Sequence, residues 1–276
     1  MPMIEGTDGF SAAREKFLVI GILGQTYSGQ STFFNSVLSS QHFGVMDHRG
    51  VFEDIVLSYL EGDPNCVEWY NEVHQNGAEL PRQEGDEIIY DEPGTTDYIY
   101  SEEYLTDNEK MQFIRQHSFN KKMPRISDAL KEIVENNPNI TEDMQVPLFV
   151  DLPMCEGVDY YEYVDQLIVI KRPTNPDANS WYIKYMCASH DENTGNFIDL
   201  CVPTNKDTLL LATLISASDD EAFSEIVIDE SKTTIIENFG TIDEYLEKID
   251  EILYEYRNRS QDALAQQINQ ISQEVT

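Results

Sequence analysis

Gly24-Gln-Thr-Tyr-Ser-Gly29-Gln30-Ser31-Thr32 fits the pattern G-x-x-x-x-G-K-[ST] at every defined position except the lysine, where Gln30 stands. Glycines at that spacing let successive backbone N–H groups wrap a phosphate, and a helix starting just after them adds its positive end. In such a loop the hydroxyl of Ser31 is the Mg²⁺ ligand, with Ser28 and Thr32 beside it in the cradle. The lysine neutralises charge on the β- and γ-phosphates. A unit charge about 4 Å away is worth on the order of 4 kcal/mol at a protein-like dielectric. Glutamine donates a hydrogen bond but supplies none of that charge.

A second candidate is Asp151, which directly follows the apolar run Val146-Pro-Leu-Phe-Val150. Ligands collect at the carboxyl edge of an open α/β sheet, so an aspartate there suits a general base or a substrate ligand. The same residue type also caps helices. Weaker candidates read as structure rather than chemistry. His190 with Asp191 and Glu192 is one histidine in a polar stretch. Tyr160, Tyr161 and Tyr163 suit packing against a sheet better than stacking on a base. The four cysteines form no C-x-x-C pair and read as reduced thiols. Asn258-Arg-Ser260 matches a glycosylation pattern, discounted where no secretion signal is seen.

The elements around these residues follow from hydrophobic period. Phe17 to Leu23 is a short continuous apolar run with β-branched residues, as in a buried parallel strand. Thr32 to Ser39 puts Phe33, Phe34, Val37 and Leu38 on one helical face. The opening unit is thus strand, glycine loop, helix. Phe52 to Leu60 and Val67 to His74 suit short helices, and Gln83 to Asp97 an acidic loop with a Pro93-Gly94 turn. Glu102 to Gln116 and Ser127 to Asn136 read as two further helices. Val146 to Val150, Gln166 to Ile170, Glu225 to Ile228 and Thr233 to Ile236 are candidate strands. Asn175 to Asn205 is mixed and polar, and Leu209 to Ile215 fits either strand or helix. Thr241-Ile-Asp-Glu244 is a capping box, and the apolar period continues from Ile242 to Tyr256. Strands alternating with helical stretches predict a three-layer α/β domain with a mainly parallel sheet.

Charge sets the remaining bounds. The 276 residues hold 51 acids against 18 lysines and arginines, a net charge of −33. Val51 to Asn108 alone carries sixteen acids against one base, Arg82. Such a field repels nucleic acid and anionic lipid, so neither is an expected direct partner, and it disfavours free nucleotide. It suits a basic protein partner, or simply solubility. No run approaches a membrane span, and the N-terminus lacks the pattern of a signal peptide, which points to an intracellular, cytoplasmic protein.

Phe17 to Leu38, with Gly24, Gly29, Ser31 and Thr32, resembles the first unit of dephospho-CoA kinases and of phage deoxynucleoside monophosphate kinases. Val146 to Met154 is similar to the strand that leads into that family's substrate pocket, Asp151 taking the place of its aspartate. Tyr163 to Pro173 resembles the strand that runs into the lid. Thr233 to Leu253, through Asn238-Phe-Gly-Thr, looks like the closing strand and helix. The resemblance implies a P-loop nucleotide-kinase fold, ATP and Mg²⁺ as cofactors where activity is retained, and a small phosphorylatable acceptor. The phage members leave a viral origin open, with a virion or host-cell location in that case. This chain departs at Gln30, and its lid region has Lys184 but no arginine pair. No other lysine is placed by sequence to substitute for the missing one, although Lys171, Arg172 and Arg125 are candidates in three dimensions.

The sequence therefore predicts one P-loop kinase-like domain over residues 1–276, an acidic, partly helical insertion at 47–107 and a polar tail at 260–276. The first functional reading is a degenerate P-loop kinase-fold protein without phosphoryl transfer, acting in binding or structure. The alternatives are an active ATP-dependent kinase for a nucleoside monophosphate or dephospho-CoA-like acceptor, and an acidic mimic of nucleic acid.

Overall fold

In the strand β1, Leu18–Gly24, successive side chains leave on opposite faces, and every residue after Leu18 is buried. Val19 and Leu23 enter one apolar layer and Ile20 and Ile22 another, so helices must cover both sides. The computed structural model describes residues 5–25, 28–85, 87–99, 101–172, 188–190, 197–200 and 220–274. Within them β1 is the centre of a five-stranded sheet. Its partners are β2 (Phe43–Val45), β5 (Pro147–Asp151), β6 (Gln166–Lys171) and β9 (Thr233–Glu237), in the order β2-β5-β1-β6-β9. All four pairings are parallel, with Leu18 opposite Pro147 and Ile20 opposite Gln166.

One face of the sheet carries α1 (Asp8–Arg14) and the second half of α7 (Asn108–Asn136), through Phe10, Ala13, Phe119, Met123, Ile126 and Leu130. The other carries α2 (Gln30–Ser39) and the C-terminal helix α8 (Ile242–Glu274). There Phe33, Phe34 and Val37 meet Tyr245, Ile249, Leu253 and Tyr256 across Phe149, Ile168 and Ile236. This is the three-layer α/β fold with a parallel sheet that the sequence predicts. The capping box forms as read: Thr241 N–H donates to Glu244 Oε2 at 2.7 Å, and Glu244 N–H to Thr241 Oγ1 at 3.3 Å.

A third apolar cluster stands apart, built from α3 (Val51–Leu60), α4 (Pro64–Gln75), α5 (Glu92–Ile99), α6 (Glu102–Leu105) and the first half of α7. It is rich in aromatic rings: Trp69, Tyr70, Tyr98 and Tyr104 are buried, and Trp69 Nε1 donates to Tyr104 Oη at 2.7 Å.

Three expectations are corrected. Gln83 to Asp97 is not a plain loop; it holds the hairpin of β3 (Arg82–Glu84) and β4 (Glu87–Ile89), followed by α5. The helices expected at 102–116 and 127–136 are instead the short α6 and one continuous α7. Pro124 lies inside α7 and removes one backbone donor, a cost of about 3 kcal/mol. Burial of Phe119, Met123, Ile126 and Leu130 on both sides of it holds the helix through that break. Glu225 to Ile228 forms no strand; Ile226 is buried beside Phe223, after the helical turn at 220–224. The run 209–215 and most of 175–205 lie outside the described residues, apart from a hairpin of β7 (Ala188–His190) and β8 (Phe197–Leu200).

The cluster and the sheet are clasped at Arg125. Its Nε lies 2.8 Å from Asp47 Oδ2, in the loop after β2, and its Nη1 and Nη2 lie 2.9 and 2.7 Å from the carboxylate of Asp54 on α3. Asp54 is only 2% exposed, so loss of its partner strands a buried charge. Arg125→Met is expected to destabilise the protein by on the order of 3 kcal/mol in urea unfolding, and adding Asp54→Asn should recover most of that loss.

Candidate functional site

At the C-terminal edge of the sheet, β1 ends at Gly24 and α2 begins at Gln30. The turn between them needs its glycines. Gly29 has φ +100°, and a Cβ there would lie 2.7 Å from the Tyr245 ring; a Cβ on Gly24 would lie 2.3 Å from Ser28 Oγ. Two groups from the end of the chain fold hold the loop. Asn238 Nδ2 donates to Ser28 O at 2.7 Å, and Tyr245 Oη donates to Gly29 O at 2.9 Å. On the other side Gln25 Nε2 donates to Asp220 Oδ1, while Arg172 N–H donates to Gln25 Oε1 at 3.1 Å.

The loop offers donors that suit an anion. The first turn of α2 has no side-chain cap and no acidic residue, so its amides remain donors. Ser28 Oγ is fully buried and has no hydrogen-bond partner among the described residues. Ser31 is exposed and Thr32 half-buried at the same helix start. Gln30 behaves differently. Its Nε2 lies 3.0 Å from each of Ile22 O, Asp151 Oδ1 and Leu152 O. The carboxamide is thus held against the ends of β1 and β5. It has two hydrogens for three acceptors.

The sequence-predicted Asp151 is therefore brought against Gln30. Burial pushes its carboxyl up to about 6, against the pull of Lys122, the Gln30 hydrogen bond and His48, and with a smaller push from Asp47. Of the candidate cations, Arg125 is held by Asp47 and Asp54 and Lys171 Nζ sits 5.6 Å from the Phe223 ring centroid, whereas Arg172 is buried beside the loop residue Gln25. The cation that acts on Asp151 is Lys122, which sequence reasoning missed along with His48, Asn238 and Tyr245. Only Asn238 carried a signal, in the Asn238-Phe-Gly-Thr segment. Tyr160 is packing, as read: it is buried, and its hydroxyl donates to Pro153 O at 2.8 Å. Asp191 and Glu192 lie outside the described residues, as does Lys184.

The fit to a nucleotide with Mg²⁺ is split. Glycines, free amides and the buried Ser28 hydroxyl suit a phosphate, whereas the donor set facing it has no lysine. Among the described residues no group of three or more His, Cys, Asp or Glu is arranged for a metal ion, and no helix is long and apolar enough to cross a membrane.

No protein-family model matches the chain, and neither does any curated protein. Solved structures that resemble it include dephospho-CoA kinase from Campylobacter jejuni, at 13% identity, covering 87% of this chain and 97% of that one with a TM-score of 0.40. Another is TT1252 from Thermus thermophilus, at 11% identity, 87% and 98% coverage and a TM-score of 0.38. Both overlaps are partial, and the fold assignment rests on the strand order and the glycine loop.

The raised Asp151 value fixes a sign. Its folded pKa lies above that of an ordinary aspartate, so the native state holds an extra proton between about pH 4 and 6, and stability falls as pH rises through that window. Asp151→Asn keeps the acceptor for Gln30 and removes the charge. It should stabilise the protein at pH 7 by up to about 3 kcal/mol, with no gain below about pH 4, in denaturant unfolding followed across pH. Gln30→Lys should act the opposite way on the carboxyl, drawing its titration well below 6 in a ¹³C NMR pH series.

Proposed function

We propose that this chain is a P-loop kinase-fold protein disarmed for phosphoryl transfer, which acts as a binding or structural component and meets a basic partner with its acidic surface. The observation that carries this reading is the Gln30 carboxamide, committed to Ile22 O, Asp151 and Leu152 O. A residue so placed neither carries the charge of a phosphate-loop lysine nor leaves its amide hydrogens free for a phosphate. The missing charge is worth on the order of 4 kcal/mol at about 4 Å. Applied to a transition state, that is about a thousandfold in rate.

The acid excess supports the second half of the reading. Several of the described arginines and lysines are engaged by carboxylates: Arg14 by Asp165, Lys110 by Glu72, Arg115 by Glu156 and Lys131 by Asp8. With 51 acids against 18 bases, the surface field is acidic on balance and attracts a basic protein.

An active kinase is the second reading, favoured by the uncapped first turn of α2 and the Ser28 hydroxyl, which has no hydrogen-bond partner among the described residues, with Lys122 supplying charge beside Asp151. In that reading ATP and Mg²⁺ would be held by the loop amides and Ser31, and Asp151 would orient the acceptor hydroxyl.

Calorimetric titration of ATP and ADP, with and without Mg²⁺, separates the readings. Native protein is expected to give no Mg²⁺-dependent binding below about millimolar, with binding gained in Gln30→Lys. Micromolar Mg²⁺-dependent binding by the native protein, followed by ADP release with a nucleoside monophosphate or dephospho-CoA, would establish the active kinase instead.

A further inference from the structure

The inner face of α8 is accounted for: Tyr245, Ile249, Leu253 and Tyr256 are buried against the sheet. Its outer face is not what a solvated helix presents. Ile242, Leu246 and Tyr254 are 38%, 37% and 65% exposed, and Phe239, just before the helix, is 53% exposed. Ile242, Leu246, position 250 and Tyr254 are four residues apart, so they form one ridge along the helix. The fourth member of that row is Asp250, and exposed Asp243, Glu247 and Glu251 flank it. The only base from Ile242 to Tyr254 is Lys248, whose Nζ donates to Glu237 O at 2.9 Å.

Asp250 also lines a groove between α2 and α8, together with Thr32, Asn35, Ser36, Ser39 and Ser40. The groove runs to the carbonyl end of α2, where the helix dipole is negative and Arg257 Nη2 donates to Ser40 O at 2.9 Å. Apolar ridge, carboxylate rim and hydroxyl-lined groove all favour a cation beside an apolar surface.

We propose that the outer face of α8 docks a basic amphipathic helix of a partner protein. The partner's apolar stripe packs on Phe239, Ile242, Leu246 and Tyr254. Its lysines or arginines meet Asp243, Glu247, Asp250 and Glu251, one of them entering the α2–α8 groove. Charge selects this occupant. A second copy of this chain brings another −33 and is repelled, and so are nucleic acid and anionic lipid. The proposal rests on the reading of the chain as an interaction component and assigns its partner surface.

The test uses full-length protein and a synthetic leucine–lysine peptide of about 18 residues, its leucines at helical period, in fluorescence anisotropy. A peptide of the same composition with leucines at alternate positions is the comparison. The native protein should bind the helical-period peptide at least about tenfold more tightly than the alternating one. Leu246→Gln with Tyr254→Gln should weaken that binding about tenfold, while Glu61→Gln with Glu68→Gln, which removes two exposed acids elsewhere, should change it by less than about twofold. No binding, no preference between peptides, or equal loss from both pairs of substitutions overturns the proposal. If the double ridge variant loses cooperative unfolding, Tyr254→Gln alone decides, since a side chain so exposed is not needed for the core; an unchanged affinity there is also negative. ATP titration of the same preparations keeps the two ideas apart. ATP turnover removes the disarmed-kinase reading whatever the peptide does, and ridge-independent binding removes the docking surface alone.

Discussion

Where β1 and β5 end, a carboxamide with two hydrogens meets three oxygens, and the arrangement of the whole sheet edge follows from that meeting. Gln30 is anchored at the start of α2, so its contacts with Ile22 O, Asp151 and Leu152 O fix how the helix enters over the strands. An ammonium group would bring three donors and a charge to the same acceptors, and would pair with Asp151 as an ion. The neutral amide leaves that carboxyl buried without a countercharge in contact, which is why burial outweighs the more distant pull of Lys122 and His48. A neutral residue at position 30 thus leaves the glycine loop without a lysine and the buried aspartate without a countercharge in contact.

Scarcity of cations shapes the rest of the molecule in the same way. Arg125 serves two carboxylates at once, Lys110 bridges Glu72 and Tyr98, and Arg115 is held against Glu156 in the interior. Each of these pairs joins segments far apart in sequence. Basic residues therefore act as internal fasteners here, and little positive charge is left to soften the outer field. The exposed faces of α8 and of the aromatic cluster inherit the acid.

The parts of the fold that were legible in the sequence are those where one local rule dominates. β1 and β6 are continuous apolar runs, α2 follows a glycine loop, and α8 opens on a capping box that forms as written. The rest depends on contacts that sequence order does not display. Pro124 argues locally for a break in α7, yet apolar residues on either side of it bury into one core and outweigh the lost donor. Ile226 looks like a strand residue because it is apolar, and it is apolar because it plugs the layer beside Phe223. At the site, the loop and Asp151 could be named, but Lys122 and His48 reach the carboxyl from α7 and from the loop after β2. Tyr245 was visible only as a core residue of a helix, and nothing in its spacing showed that its hydroxyl would hold the glycine turn.

The order of the strands has a consequence for how the chain is made. β1 is central, but its neighbours β5 and β6 come only after the whole aromatic cluster and α7 have been synthesised. At typical translation speeds of about 5–20 residues per second, β1 waits roughly ten seconds for its first partner. During that interval Val19, Ile20, Ile22 and Leu23 have no sheet to enter, while the cluster built from α3 to α7 can already collapse through local contacts. The nascent chain thus carries an unpaired apolar strand beside an acidic, self-contained cluster. The sixteen acids of Val51 to Asn108 are synthesised in that same interval, so two such nascent chains repel one another while their strands are unpaired.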